Sequence, residues 1–251
     1  MKTTFLAAVL AAVCALAQAG AIDGSVPAAS AAAGADPADA ARRAAEAAKL
    51  NEAAMLIRSR QAQAAIDRIL DPLIAAQDAA NADRKEALYC ANSTTESLYY
   101  MLQAAKDRKA AIALDGTLCN ALFMRGFAEV DLGRIAAAEA DYARAVALSP
   151  SNPHYLSELG ELHTRKREFS DALGWFQRAE AAKEFAGPGQ ANAELGRALR
   201  GMAYVDVELG KLDEAEALYR RCLEIDARDQ KAQAELGYVL GVKARQAGVA
   251  K

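Results

Sequence analysis

The chain has 251 residues, and 64 of them, about one in four, are alanine. Aromatic residues are only 6% and the formal charge is −3, with 30 basic and 33 acidic side chains. These figures argue against one thick core of large side chains and against nucleic acid as the main ligand, which needs a basic surface. They favour helices that approach closely, because alanine is the best helix former and packs with the smallest side chain.

The amino terminus reads as a targeting segment. Lys2 supplies the positive start, and Phe5 to Ala17 is apolar but too short for a membrane span. Ala17-Gln18-Ala19 fits the small-x-small cleavage rule, with Ala15-Leu16-Ala17 as the other choice. Cys14 raises the question of lipid attachment, but Val13 stands where a small residue is normally required. No later apolar run reaches 18 residues, so no membrane span is expected in a chain predicted to be periplasmic or secreted. Residues 20–36 are rich in Ala, Gly and Ser without periodicity and read as a flexible leader.

Order is expected from Pro37, with Asp36 as the cap of the first helix. From there the pattern is helical to the end, and no alternation is long enough for a strand. A helical pair is predicted over about 38–80, with Pro72 kinking or shortening its second helix. Ser93 and Glu96 have capping-box spacing, so a helix should start there. Breaks follow at Asp131-Leu132-Gly133, around Pro150 and Pro153, at Gly187-Pro188-Gly189 and at Leu209-Gly210.

The pattern repeats. Gly126, Ala138, Tyr142 and Ala145 recur 34 residues on as Gly160, Ala172, Phe176 and Ala179. The next copies, Ala215, Tyr219 and Cys222, come after about nine inserted residues. Backwards, Ala138, Ala145 and Leu148 match Ala104, Ala111 and Leu114. Period and residue types resemble the tetratricopeptide repeat family, whose unit is a 34-residue helix–turn–helix. The expected class is therefore all-α, an α-solenoid with units at about 119–152, 153–186 and 196–229 and a cap at 230–246. Degenerate helical repeats are expected over 37–118.

The resemblance implies a protein or peptide partner held in a concave groove lined by the first helix of each unit. Helical spacing places Asn120, Phe123, Phe127, Val130 and Asp131 there, then His154, Ser157, Glu161, Thr164 and Arg165. Arg197, Arg200, Tyr204, Val207 and Glu208 follow, with Lys231 and Tyr238 on the cap. Phe123 and Phe127 either anchor a partner or pack on the preceding unit. Some family members clamp a terminal carboxylate with Lys and Asn at these positions, and the two phenylalanines argue against that ligand here. The charged groove residues can equally be ordinary solvated surface.

Cys90 and Cys119 fall near helices expected on the same side of adjacent units, so a disulfide and two free buried thiols are both open. Cys222 takes a small core position. No catalytic constellation is visible: the two histidines lie nine apart, and there is no zinc spacing, phosphate loop or nucleophile elbow. No metal or cofactor is expected, and the oligomeric state is not readable. The reading is a non-enzymatic scaffold of a bacterial cell envelope. The alternative is a structural subunit docking through its convex face or its amino-terminal half.

Overall fold

The computed structural model describes residues 36–187 and 189–249. The expected signal segment, its cleavage site and the leader before Asp36 lie outside them. Ten helices and two short strands are described. Helix α1 spans Pro37–Arg58, with Asp36 Oδ1 accepting from the Ala38 amide at 2.9 Å. Helix α2 covers 62–81. It runs as α-helix over Ala62–Ala65, widens into a π turn over Ile66–Leu70, and resumes as α-helix over Asp71–Asn81. Pro72 was expected to kink or shorten this helix. The wide turn just before it is the observed answer: the proline has no amide to donate and its ring crowds the carbonyl one turn back, which a π turn relieves.

The next stretch departs from the sequence reading. A degenerate helical repeat was expected over about 85–118, with no strand anywhere. The structure instead has strand β1 (Ala87–Ala91), helix α3 (Thr94–Lys106) and strand β2 (Ala111–Asp115). The strands pair in parallel, in register from Ala87 with Ala111 to Ala91 with Asp115, and α3 is the crossover that a parallel pair requires. Ala111 and Leu114, which keep the 34-residue step, are strand residues. Strands of five residues, with alanine at four of the ten positions, carry too little alternation to register as strands.

A helix does begin at the capping signal. Ser93 Oγ accepts from the Glu96 amide at 3.1 Å, and Glu96 Oε2 accepts from the Asn92 amide at 2.7 Å. Glu96 is fully buried, and its other oxygen takes hydrogen bonds from the Tyr100 and Ser149 hydroxyls at 2.7 and 2.8 Å. This carboxylate ties α3 to the end of the first repeat. Cys90 on β1 is bonded to Cys119, with S–S 2.09 Å and Cα–Cα 6.2 Å.

The rest is a stack of antiparallel helix pairs. Helices α4 (Thr117–Asp131) and α5 (Ile135–Leu148) form the first. Helices α6 (Pro153–Arg165) and α7 (Phe169–Ala181) form the second. Helices α8 (Ala191–Glu208) and α9 (Leu212–Ile225) form the third, and α10 (Gln230–Val249) closes the stack. Asn152 caps α6, accepting from the His154 and Tyr155 amides, with Pro153 at the first position. Within each pair the helices meet at small residues. Ala138, Ala172 and Ala215 are fully buried, as are the rings of Tyr142, Phe176 and Tyr219; Tyr142 lies against Gly126 and Phe176 against Gly160 and Gly201. The turns of the first and third pairs use Gly133 and Gly210 at φ near +75°, and Arg167 takes the same left-handed place in the second at +62°.

Helices α1 and α2 pack on α4 as a preceding pair would. Arg125 joins them, holding Asp71 at 2.8 Å and gripping Asp141 with two nitrogens at 2.6 and 2.8 Å. The insertion between α2 and α4 sits beside this stack, with β1 touching α4 and α5.

Candidate functional site

Along the stack α4 meets α6 through ring contacts, α6 packs on α8, and Arg200 of α8 reaches Asp229 just before α10. Side chains cross from each to the next on the face that carries the sequence-predicted groove. Phe123 on α4 is half-buried, its ring centroid 4.7 Å from His154, 5.8 Å from Tyr155 and 6.1 Å from Tyr142. Phe127 is also half-buried against the core. Both phenylalanines are therefore largely engaged within the protein. The ring of Phe123 meets His154 and Tyr155 of the second repeat. Asp131 ends α4 and is exposed.

An ionic network fills the middle of this face. His154 Nδ1 lies 3.0 Å from Glu194 on α8, and its Nε2 lies 3.8 Å from Glu158. Arg197 reaches Glu158 at 2.7 Å, Glu161 at 3.6 Å and Glu194 at 3.7 Å. Three carboxylates thus converge on one guanidinium. Burial works against ionising Glu194, but His154, Arg197 and Arg200 outweigh it and hold its carboxyl below the ordinary range. Burial and the neighbouring Glu158 push Glu161 upward, only partly offset by Arg197 and Arg165. The two carboxyls therefore respond oppositely to the same cluster. The buried Ser157 hydroxyl and Glu194 Oε2 have no hydrogen-bond partner among the described residues.

Further along, Arg200 is paired with Asp229, and Arg167 reaches Glu208 at 3.4 Å. Burial and the nearby Arg200 lower the Lys231 ammonium. Burial and Glu208 raise the half-buried Tyr204 hydroxyl. Arg165 is exposed. Tyr238 on α10 is 44% exposed and lines an open cavity of about 250 Å³ with Val207, Glu208, Leu212, Val242 and Gln246. The face runs from aromatic at α4, through a charged centre, to a tyrosine-lined hollow at α10.

Sequence spacing missed the two carboxylates that organise the centre. Glu158 falls one position from the predicted Ser157, at a place the groove spacing does not include. Glu194 precedes the unit that the register starts at 196, because α8 begins earlier, at Ala191. The aromatic and histidine at Phe123 and His154, on the first helices of successive repeats, were the available signal for the junction.

One cluster has ligand-like geometry. His163, Glu168 and Asp171 place possible ligand atoms within 4.8 Å of one another. The Lys166 ammonium already sits 2.8 Å from Glu168 and 3.0 Å from Glu139, so a cation of the protein's own occupies the position. No helix among the described residues is long and apolar enough to cross a membrane.

Comparison with known proteins addresses the same segments. Models of the tetratricopeptide repeat match residues 123–191 and 194–229. No curated protein matches the sequence. Among solved structures, Pseudomonas aeruginosa pilF superposes with a TM-score of 0.56 at 13% identity, covering 82% of this chain and 72% of that one. BtubC from P. vanneervenii gives 0.47 at 17% identity, covering 83% and 85%. The first TPR domain of human RPAP3 gives 0.45 at 22% identity, covering 52% and 95%. The pilF likeness is one of fold.

Proposed function

Residues 123–191 and 194–229 being tetratricopeptide repeats, a scaffold for protein–protein interaction, we propose that this chain is a non-enzymatic scaffold of a bacterial cell envelope. In this reading the face of α4, α6, α8 and α10 is the concave groove, and a peptide or partner segment lies along it. The observation that carries the reading is the continuity of that face. Phe123 meets His154, His154 meets Glu194, and Arg200 meets Asp229, so every repeat is joined to the next by groove side chains. Beyond the charged centre, Tyr204 and Tyr238 offer ring surface to a ligand, as interface tyrosines commonly do. Both histidines lie against carboxylates, His154 at 3.0 Å and His163 at 2.6 Å, which supports a structural use of these side chains. The apolar segment Phe5 to Ala17 supports export.

Photo-crosslinking in the native host tests the groove. A crosslinker at Tyr204 or Tyr238 should capture a partner that one at Ala143 or Gln177, exposed on α5 and α7, does not. Capture only from the α5 and α7 positions would reverse the assignment and favour convex docking. Sequencing the amino terminus of the protein from the envelope fraction should begin at Gly20, the residue after Ala19. A chain retaining Met1 in the cytoplasmic fraction removes the envelope half of the proposal.

A further inference from the structure

The β1–α3–β2 insertion has two features that the groove does not use. The first is that α3 is apolar on two sides. Its inner stripe, Glu96, Tyr100 and Ala104, is buried. On the opposite side Leu98 and Leu102, one turn apart, are 59% and 68% exposed. Lys106 stands one turn further along the same stripe. The second feature is charge. The strands are parallel and in register from Ala87 with Ala111, and the Ala87 amide donates to the Ala110 carbonyl at 2.9 Å. Segments 84–86 and 106–110 therefore meet at one end of the sheet. Arg84, Lys85, Lys106, Arg108 and Lys109 are all exposed there, against Asp83, Glu86 and Asp107. Among the described residues the one ion pair at this end is Lys109 with Asp107, at 3.9 Å. A chain of net charge −3 thus carries a local excess of cations beside two protruding leucines.

We propose that this end of α3 docks on an anionic bilayer surface, with Leu98 and Leu102 inserted at the boundary between headgroups and acyl chains and the cations resting on lipid phosphates. Two leucines make a patch far smaller than the roughly 800 Å² that each side of a stable protein interface buries. An interfacial helix needs only a narrow apolar stripe flanked by Lys and Arg, whose long stems reach the headgroup level. Each such cation adds to the attraction within a Debye length of the surface. Elsewhere the acidic chain is repelled by such a surface, so the docked orientation is set by this one corner.

The test uses the full chain and a local probe, because the apolar segment Phe5 to Ala17 can itself bind lipid. Trp175 is the only tryptophan, so a Leu102→Trp, Trp175→Phe chain reports from the ridge alone. On vesicles of equal parts phosphatidylglycerol and phosphatidylcholine its emission should shift to the blue and be quenched by brominated acyl chains. Phosphatidylcholine alone should leave it unchanged. Adding Lys106→Gln, Arg108→Asn and Lys109→Gln should raise the lipid concentration for half the shift on the order of a hundredfold. Asn suits position 108, where φ is +56°. Matching circular dichroism and melting temperatures establish that the variants are folded. A ridge tryptophan that stays in water on anionic vesicles overturns the proposal. So does a shift that survives the three charge substitutions, or one equally strong on phosphatidylcholine. A ridge that ignores lipid but becomes covered by a protein in extract overturns it in favour of protein docking.

Discussion

Phe176 shows what a single residue does in this fold. A Cβ built on Gly160 would lie 2.8 Å from its ring, and one on Gly201 only 2.3 Å away. The ring from α7 is thus clasped by two bare backbones, one in its own repeat and one in the next. Gly160→Leu and Gly201→Ala should each cost about 1–3 kcal/mol by overpacking, read from urea midpoints. A Gly201→Ala chain with wild-type stability would mean that the ring moves aside freely. The repeat register exposed Gly160, because Gly126 stands 34 residues earlier against Tyr142. It hid Gly201, whose counterpart one repeat back is Glu158, a residue used for the ionic network. The same register placed Phe123, Ser157, Glu161, Arg200 and Tyr204 along one face of successive first helices. It could not show that Phe123 would be spent on His154 and Tyr155, because that contact depends on how far one repeat rotates against the next.

At the scale of elements, the helix–turn–helix units were legible and the insertion was not. Repeats announce themselves through glycine, alanine and aromatic residues recurring at a fixed step. The β1–α3–β2 unit has no second copy to compare with, and its strands are held by tertiary contacts. The disulfide is chief among these contacts, followed by the hydrogen bonds to Glu96. Closing the segment from 90 to 119 should stabilise the fold by roughly 3–4 kcal/mol in the chain-entropy account. Reductant should therefore lower the melting temperature. In a Cys14→Ser chain under denaturant, one thiol, Cys222, should react before reduction and three after it. Burial pushes the Cys222 thiol up to about 11, so in the folded chain it should resist alkylation at neutral pH. Three reactive thiols without reductant would remove the bond.

The whole molecule is a row in which each pair leans on its neighbours, and the buried side chains fall into two clusters. One runs from Leu50 to Ala198 and includes the amino-terminal helices, β1 and the first repeats. The other runs from Ala172 to Val239. The first is reinforced by the disulfide, by Arg125 between Asp71 and Asp141, and by the Arg144–Asp78 pair. The second ends at α10, which leans on α9 and leaves Tyr238 and Leu240 open to solvent. Stability in such a stack is a sum of local terms, so it need not be uniform. Native-state hydrogen exchange should find α9 and α10 opening at a lower free energy than α4 and α6. Equal protection across all four helices would show a single cooperative unit instead.

The bond between Cys90 and Cys119 also changes what a cut in the chain would do. The exposed end of α3 and the turn after it carry Lys106, Arg108 and Lys109, three sites for trypsin. All three lie between the bonded cysteines. A nick there divides the polypeptide without releasing either part: the protein should migrate as one piece on a non-reducing gel and as two once the bond is reduced. A cut at this exposed turn thereby leaves the amino-terminal helices and β1 covalently joined to the repeat stack.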